Sequence, residues 1–74
     1  MRSEQATPLQ FGRHLARLRV DRQWTQEYLA EKAAIHPRYL QKLEAGVTVP
    51  SLLVLARLRA ALDVEWNEFL KVLR

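Results

Sequence analysis

Apolar residues recur along this chain every three or four positions with polar residues between them, and that period predicts helices from end to end. Phe11, Leu15 and Leu18, with Arg22 at the same spacing, predict a first helix over about 8–22, whose other faces carry Arg13, Arg17 and Asp21. Thr7 caps it, Pro8 takes the first helical position, and Gln10 completes a T-x-x-Q capping box. Gln23 and Trp24 interrupt the period. Thr25 then caps a second helix over about 26–33, with Glu27 well placed in its first turn and a small-residue face of Leu29, Ala30 and Ala33. A third helix starts at Pro37 with His36 as its cap, buries Leu40 and Leu43, and ends at a left-handed Gly46. The alternation Val47-Thr48-Val49-Pro50 is too short for a strand and reads as a loop. Ser51 caps a fourth helix, about 51–62, with Leu52, Leu55, Leu58 and Leu62 along one face, and Asp63 suits a left-handed exit. Trp66, Phe69, Leu70 and Leu73 predict a fifth helix over about 66–73 with those four side chains in the core. The expected fold is all-α: a compact five-helix domain at 8–74 behind a flexible polar tail at 1–7.

Length and composition narrow the picture. Seventy-four residues hold one small domain, and a chain of this size buries only ~60% of its unfolded surface. No cysteine is present, and the two histidines, His14 and His36, are far apart in sequence. Neither a disulfide nor a metal site is therefore expected, and support must come from helix packing or association. Val47, Val49, Leu53, Val54 and Val72 are more apolar surface than so small a monomer can hide. The longest apolar run, Leu52 to Ala56, is far short of the ~20 residues that span a bilayer. No signal-peptide pattern and no lopsided basic amphipathic helix is present, so a soluble cytoplasmic protein is expected. Ser3 falls in the tail and Ser51 reads as a cap; no nucleophile pairs with a histidine and no carboxylates share a predicted cleft. With only Gly12 and Gly46 there is no glycine-rich loop. No enzymatic activity, cofactor or small-molecule ligand is expected. The net charge is +4, from 12 bases against 8 acids, and nine of the bases are arginine, whose planar fork suits phosphate and guanine.

The informative segment is residues 25–46, TQEYLAEKAAIHPRYLQKLEAG. Two short helices lie on either side of a turn of about three residues. Ala30 sits where helices that cross steeply must approach closely, and Ile35, Leu40 and Leu43 fill the angle between them. This is the spacing of a helix-turn-helix, whose second helix can enter the DNA major groove.

The ordered set of short matches is wider still: Phe11-Gly12, Arg19, Thr25-Gln26, Leu29-Ala30, Leu43-Glu44-Ala45-Gly46, Pro50-Ser51 and Leu62-Asp63-Val64. In this set the chain resembles the lambda-repressor/Cro-type, or Xre-like, helix-turn-helix family over about residues 9–73. The resemblance implies a homodimeric regulator of transcription on a pseudo-palindromic operator in double-stranded DNA. It implies an architectural ion pair between Arg19 and Glu44. It implies DNA-backbone contacts by Thr25 and Gln26, and base-facing positions at Pro37, Arg38, Gln41 and Lys42. Tyr39 matches a frequent family tyrosine that touches phosphate or a base edge, or else packs partly in the core. Thr48 is a phosphate candidate. Arg13, Arg17 and Arg22 either widen the basic surface or form a solvated face. Relatives pair through the helix 4 and helix 5 end, which points to Leu53, Val54, Trp66 and Val72 as the dimer surface. The chain departs from the family at Ala34, where glycine is usual in the turn. Left-handed alanine costs ~1–2 kcal/mol, so a strained or altered turn is expected. It departs again at Arg59, whose head is expected to reach out past a packed stem, and at Glu65, which replaces a serine cap. The competing readings are a protein-interaction module of the same fold that has lost DNA binding, and an antitoxin that binds a partner toxin.

Overall fold

The computed structural model describes residues 7–73. Residues 1–6 of the expected tail lie outside the described residues, and Thr7 is the N-cap of the first helix, as the capping box predicts. Five α-helices follow in order: α1 (Pro8–Asp21), α2 (Gln26–Ala33), α3 (Pro37–Glu44), α4 (Leu52–Leu62) and α5 (Trp66–Phe69), then a 3-10 turn at Lys71–Leu73. Among the described residues there is no strand, and no helix is long and apolar enough to cross a membrane.

The caps work as the local sequence dictates. The Thr7 hydroxyl accepts from the Gln10 amide at 3.1 Å, and the Gln10 side chain accepts from the Thr7 amide at 2.9 Å. Thr25 and Ser51 accept from Tyr28 and Val54 amides in the same way. His36 caps α3 through Nδ1, which accepts from the Arg38 amide at 3.0 Å. Left-handed residues stop the helices at Ala34, Gly46 and Asp63, as expected, and also at Gln23, which the sequence pattern does not announce. Ala34 adopts φ 59° and ψ 44°, so the turn keeps its shape and the alanine carries the strain.

The core is made by Phe11, Leu15, Leu18, Leu29, Ala30, Ala33, Leu40, Leu43, Leu58, Leu62, Val64 and Phe69. Two α1 residues matter beyond the expected stripe. His14 is buried, and its Nε2 donates to the Glu68 carbonyl at 2.8 Å, which fixes α5 against α1. Gly12 is where α1 meets the end of α3: an added Cβ would collide with the Leu43 carbonyl oxygen and stand 2.5 Å from that of Glu44.

The C-terminal half differs from the expectation in two places. Leu52 does not join the α4 core face; it is 81% exposed, because the packing beneath α4 begins only at the half-buried Val54 and Leu55. The fifth helix is four residues long, not eight. Glu65 gives it no side-chain cap, and Leu70 leaves helical geometry at φ -104°, ψ 15°. So short a helix has almost no stability of its own and is held by the burial of Phe69 and by the His14 bond to the Glu68 carbonyl. Trp66 and Leu73, expected in the core, are exposed.

Three helices are tied by one carboxylate. The Arg19 guanidinium on α1 grips Glu44 at the end of α3 with two bonds, Nε to Oε2 at 2.8 Å and Nη2 to Oε1 at 3.0 Å. Arg19 Nη1 donates also to the Trp24 carbonyl in the α1–α2 connection at 2.8 Å. From α2, Gln26 Nε2 donates to Glu44 Oε1 at 2.8 Å. The pair is largely withdrawn from water, with side-chain exposures of 14% for Arg19 and 6% for Glu44. Removing one partner strands the other, which for a buried pair costs about 3–5 kcal/mol. Urea melts of Arg19→Ala and Glu44→Ala should each show a loss of about 3 kcal/mol, and the double variant much less than the sum. Small additive losses would show that the two side chains are not coupled. At the turn, Ala34→Gly should stabilise the fold by about 0.5–1 kcal/mol, the relief of left-handed strain less the entropy glycine adds to the unfolded chain; a lower melting temperature would contradict it.

Candidate nucleic-acid interface

The sequence makes α3 an eight-residue helix with one apolar and one polar side, and the structure turns the polar side out. Leu40 and Leu43 are buried; Arg38, Gln41, Lys42 and Ala45 form an exposed stripe at i, i+3, i+4 and i+7. Among the described residues the side chains of Arg38, Gln41 and Lys42 make no hydrogen bond or ion pair. Their donors are free for a ligand. Pro37 stands half-buried at the first position of the helix, and Tyr39 is half-buried, packed against the core. Tyr39 therefore spends part of its ring on the fold.

The start of α2 lies beside this stripe because Gln26 reaches across to Glu44. Thr25 is exposed, and its hydroxyl oxygen is engaged by the Tyr28 amide, which leaves its proton for an outside acceptor. Gln26 has one amide proton on Glu44 and keeps the other. The backbone amides of Gln26 and Glu27, in the first turn, have no acceptor within the helix, and the helix dipole favours an anion there. Thr48 sits half-buried in the loop after Gly46. That loop runs close along α1, since a Cβ on Gly46 would come within 2.7 Å of the Leu9 Cα.

The arginines divide into two sets. Arg22 is not on a solvated basic face: Nη1 donates to the Leu18 carbonyl at 2.8 Å and Nη2 to the Leu62 carbonyl at 2.9 Å, closing the ends of α1 and α4 together. Arg59 does not simply reach out past its stem. Its Nη1 donates to the Val64 carbonyl at 3.1 Å, its guanidinium lies 5.2 Å from the centre of the Trp66 ring, and its Nε is buried without a hydrogen-bond partner. Arg13 and Arg17 are exposed on α1.

At the other end of the domain, Leu53 is 62% and Trp66 42% exposed, while Val54 and Val72 pack partly on the chain's own core. Leu52, Val47 and Val49 are exposed nearby. An apolar groove of about 240 Å³, lined by Phe11, Val49, Pro50, Leu55, Leu70 and Leu73 with Thr7 and Pro8, opens on this surface. Among the described residues no group of His, Asp and Glu side chains could hold a metal ion.

Sequence reasoning missed His14, and it quoted Gly12 only within the family match, without its packing role. Both had a signal. His14 completes the stripe 11, 14, 15, 18, and a glycine inside a strong helical pattern marks a close backbone approach.

Residues 15–69 match the family described as helix-turn-helix. Among solved structures, the restriction-modification controller protein C.AhdI from Aeromonas hydrophila aligns with a TM-score of 0.81 and 32% identity, over 84% of this chain and 94% of that one. No curated protein matches the chain in sequence. With a buried Arg19–Glu44 pair beneath an outward polar stripe on α3, and a family match over most of its length, the chain belongs to the Xre-like, lambda-repressor-type helix-turn-helix family of DNA-binding transcription regulators.

Proposed function

We propose that this chain is a homodimeric, sequence-specific regulator that lays α3 in the major groove of a pseudo-palindromic operator, in the manner of a restriction-modification controller. The observation that carries the reading is the Arg38–Gln41–Lys42 stripe, unpartnered among the described residues, on a short helix whose end is tied to α1 and α2 through Glu44. Likeness to C.AhdI supports the controller assignment. The preserved turn at Ala34 weighs against an interaction module of the same fold, because the reading helix keeps its presentation.

Each side chain takes a role set by its chemistry. Arg38, one residue beyond the helix start, carries the fork that matches guanine O6 and N7. Gln41 suits adenine or a phosphate, and Pro37 offers only an apolar contact, to a thymine methyl. Lys42, one turn on, brings a single charged tip to a base or the backbone. Thr25, Gln26 and the free amides of the first α2 turn hold a phosphate, and Tyr39 and Thr48 add backbone contacts at the edges. A dimer that pairs through Leu53, Trp66 and the neighbouring Leu52, with lesser contributions from Val54 and Val72, places two α3 helices on successive major grooves, ~34 Å apart.

Two measurements test this. After selection of an operator from a random duplex library, Arg38→Ala should relax preference at one base pair in each half-site, by ~1–3 kcal/mol. Gln26→Ala should weaken all sequences alike, and Lys42→Ala should flatten the salt dependence by ~1 in slope if it holds a phosphate. Equal weakening of every single-base operator variant by Arg38→Ala would make Arg38 a backbone contact.

Association is tested separately. Leu52→Glu with Leu53→Glu removes exposed apolar surface without touching the core, so the fold should persist while sedimentation shifts to monomer and operator affinity drops by roughly a hundredfold or more. Undiminished operator binding by a strict monomer would sink the dimer.

A further inference from the structure

The outer face of α1 holds a basic trough that none of the DNA contacts assigned above uses. Two shallow depressions share Arg13 and Arg17 as walls; Gln10, Lys71 and Val72 close one end, and Val20 and Asp21 the other. Both arginines are exposed and, among the described residues, make no hydrogen bond or ion pair. Among the described residues Lys71 pairs with Glu68 alone, at 3.2 Å, and both side chains of that pair are about half exposed. Like charges one turn apart oppose the helix that carries them, and this chain satisfies the arginines at the end of α1, Arg19 and the capping Arg22, with carboxylate and carbonyl oxygens. Arg13 and Arg17 are left to an outside anion.

The trough is held in shape. His14 forms part of its wall, and its bond to the Glu68 carbonyl pins α5 and the following turn to α1, which sets Lys71 beside the arginine pair. The chemistry of the lining selects the partner. Protein interfaces centre on aromatic and aliphatic anchors from which lysine and glutamate are depleted. Here there is no Phe, Tyr or Trp, and the valines stand at the two ends. Arginine, lysine and glutamine are the side chains that take phosphate oxygens along a duplex. Position decides the rest. Helix α1 meets α3 through Gly12 and Arg19, whereas Arg13 and Arg17 lie well around the helix from them. A duplex seated on α3 leaves the trough open.

We propose that this trough is a second, sequence-independent phosphate-binding surface that takes the backbone of another DNA segment while α3 holds the operator. The proposal rests on the regulator reading above. Energy transfer between an operator duplex carrying a donor dye and an unrelated duplex carrying an acceptor tests it in the full chain. The wild-type protein should bring the two together at low salt, with transfer falling steeply as salt rises. Arg13→Gln with Arg17→Gln should require roughly tenfold more protein for the same transfer, or lose it, while anisotropy on the operator duplex alone stays unchanged. Lys71→Gln, a single exposed change, should weaken transfer in the same direction. If the wild type binds the operator duplex and transfer never appears, or if transfer survives the double substitution, the trough proposal is overturned and the regulator reading stands. Absence of any duplex binding overturns both. Displacement of the second duplex by polyglutamate at lower charge concentration than by unlabelled duplex would assign the trough to an acidic protein and overturn the proposal as stated.

Discussion

The carboxylate of Glu44 is the point on which the arrangement of the helices depends. A negative charge at the end of α3 is disfavoured twice, by burial and by the negative end of the helix dipole. It is tolerated because three donors reach it, two from Arg19 and one from Gln26. Those donors come from the two other helices of the N-terminal half. A helix of eight residues has little stability alone, so α3 owes its orientation to this bond set and to Leu40 and Leu43 on its inner side. Arg19 carries the tie further, to the Trp24 carbonyl, and so fixes the connection that delivers Thr25 to the start of α2. The outward stripe and the phosphate-facing turn are placed by one network.

The close approach of α1 to α3 is the steric counterpart of that network. Gly12 lets backbone meet backbone, and no other residue has room there. Four left-handed residues, Gln23, Ala34, Gly46 and Asp63, stop helices so that the chain can return across the same small core. Only one of them is glycine. The strain this implies is offset by the packed leucines and by arginines that donate to backbone carbonyls, with Arg22 joining the ends of α1 and α4.

Charge composition alone overstates the nucleic-acid surface. Of nine arginines, Arg19, Arg22 and Arg59 are occupied with the chain's own oxygens, Arg13, Arg17, Arg38 and Arg57 are exposed, and Arg2 and Arg74 lie outside the described residues. A net charge of +4 is thus a poor measure of where phosphate can be held. What matters is which guanidinium groups lack an internal acceptor; among the described residues these are Arg38 on α3, Arg13 and Arg17 on the outer face of α1, and Arg57 on α4.

The sequence by itself determined the helices α1 to α4, their caps and the identity of the helix-turn-helix. These depend on local chemistry: capping hydroxyls, proline at a first position and apolar residues every third or fourth place. It also named the Arg19–Glu44 pair, through resemblance. Tertiary structure alone decided which apolar residues reach the core. Leu52 and Leu73 have the right spacing yet lie beyond its edge, because a helix stripe is longer than the surface it packs on. It decided that α5 is one turn long, since an uncapped helix ends where its buried contact ends. It decided as well that Arg22 and Arg59 bind carbonyls and that Gln26 binds Glu44, because those partners are brought close only by the folded chain. Periodicity reports which face of a helix turns inward; only the packed helices fix how far that face is covered and which long side chains find an acceptor before they reach water.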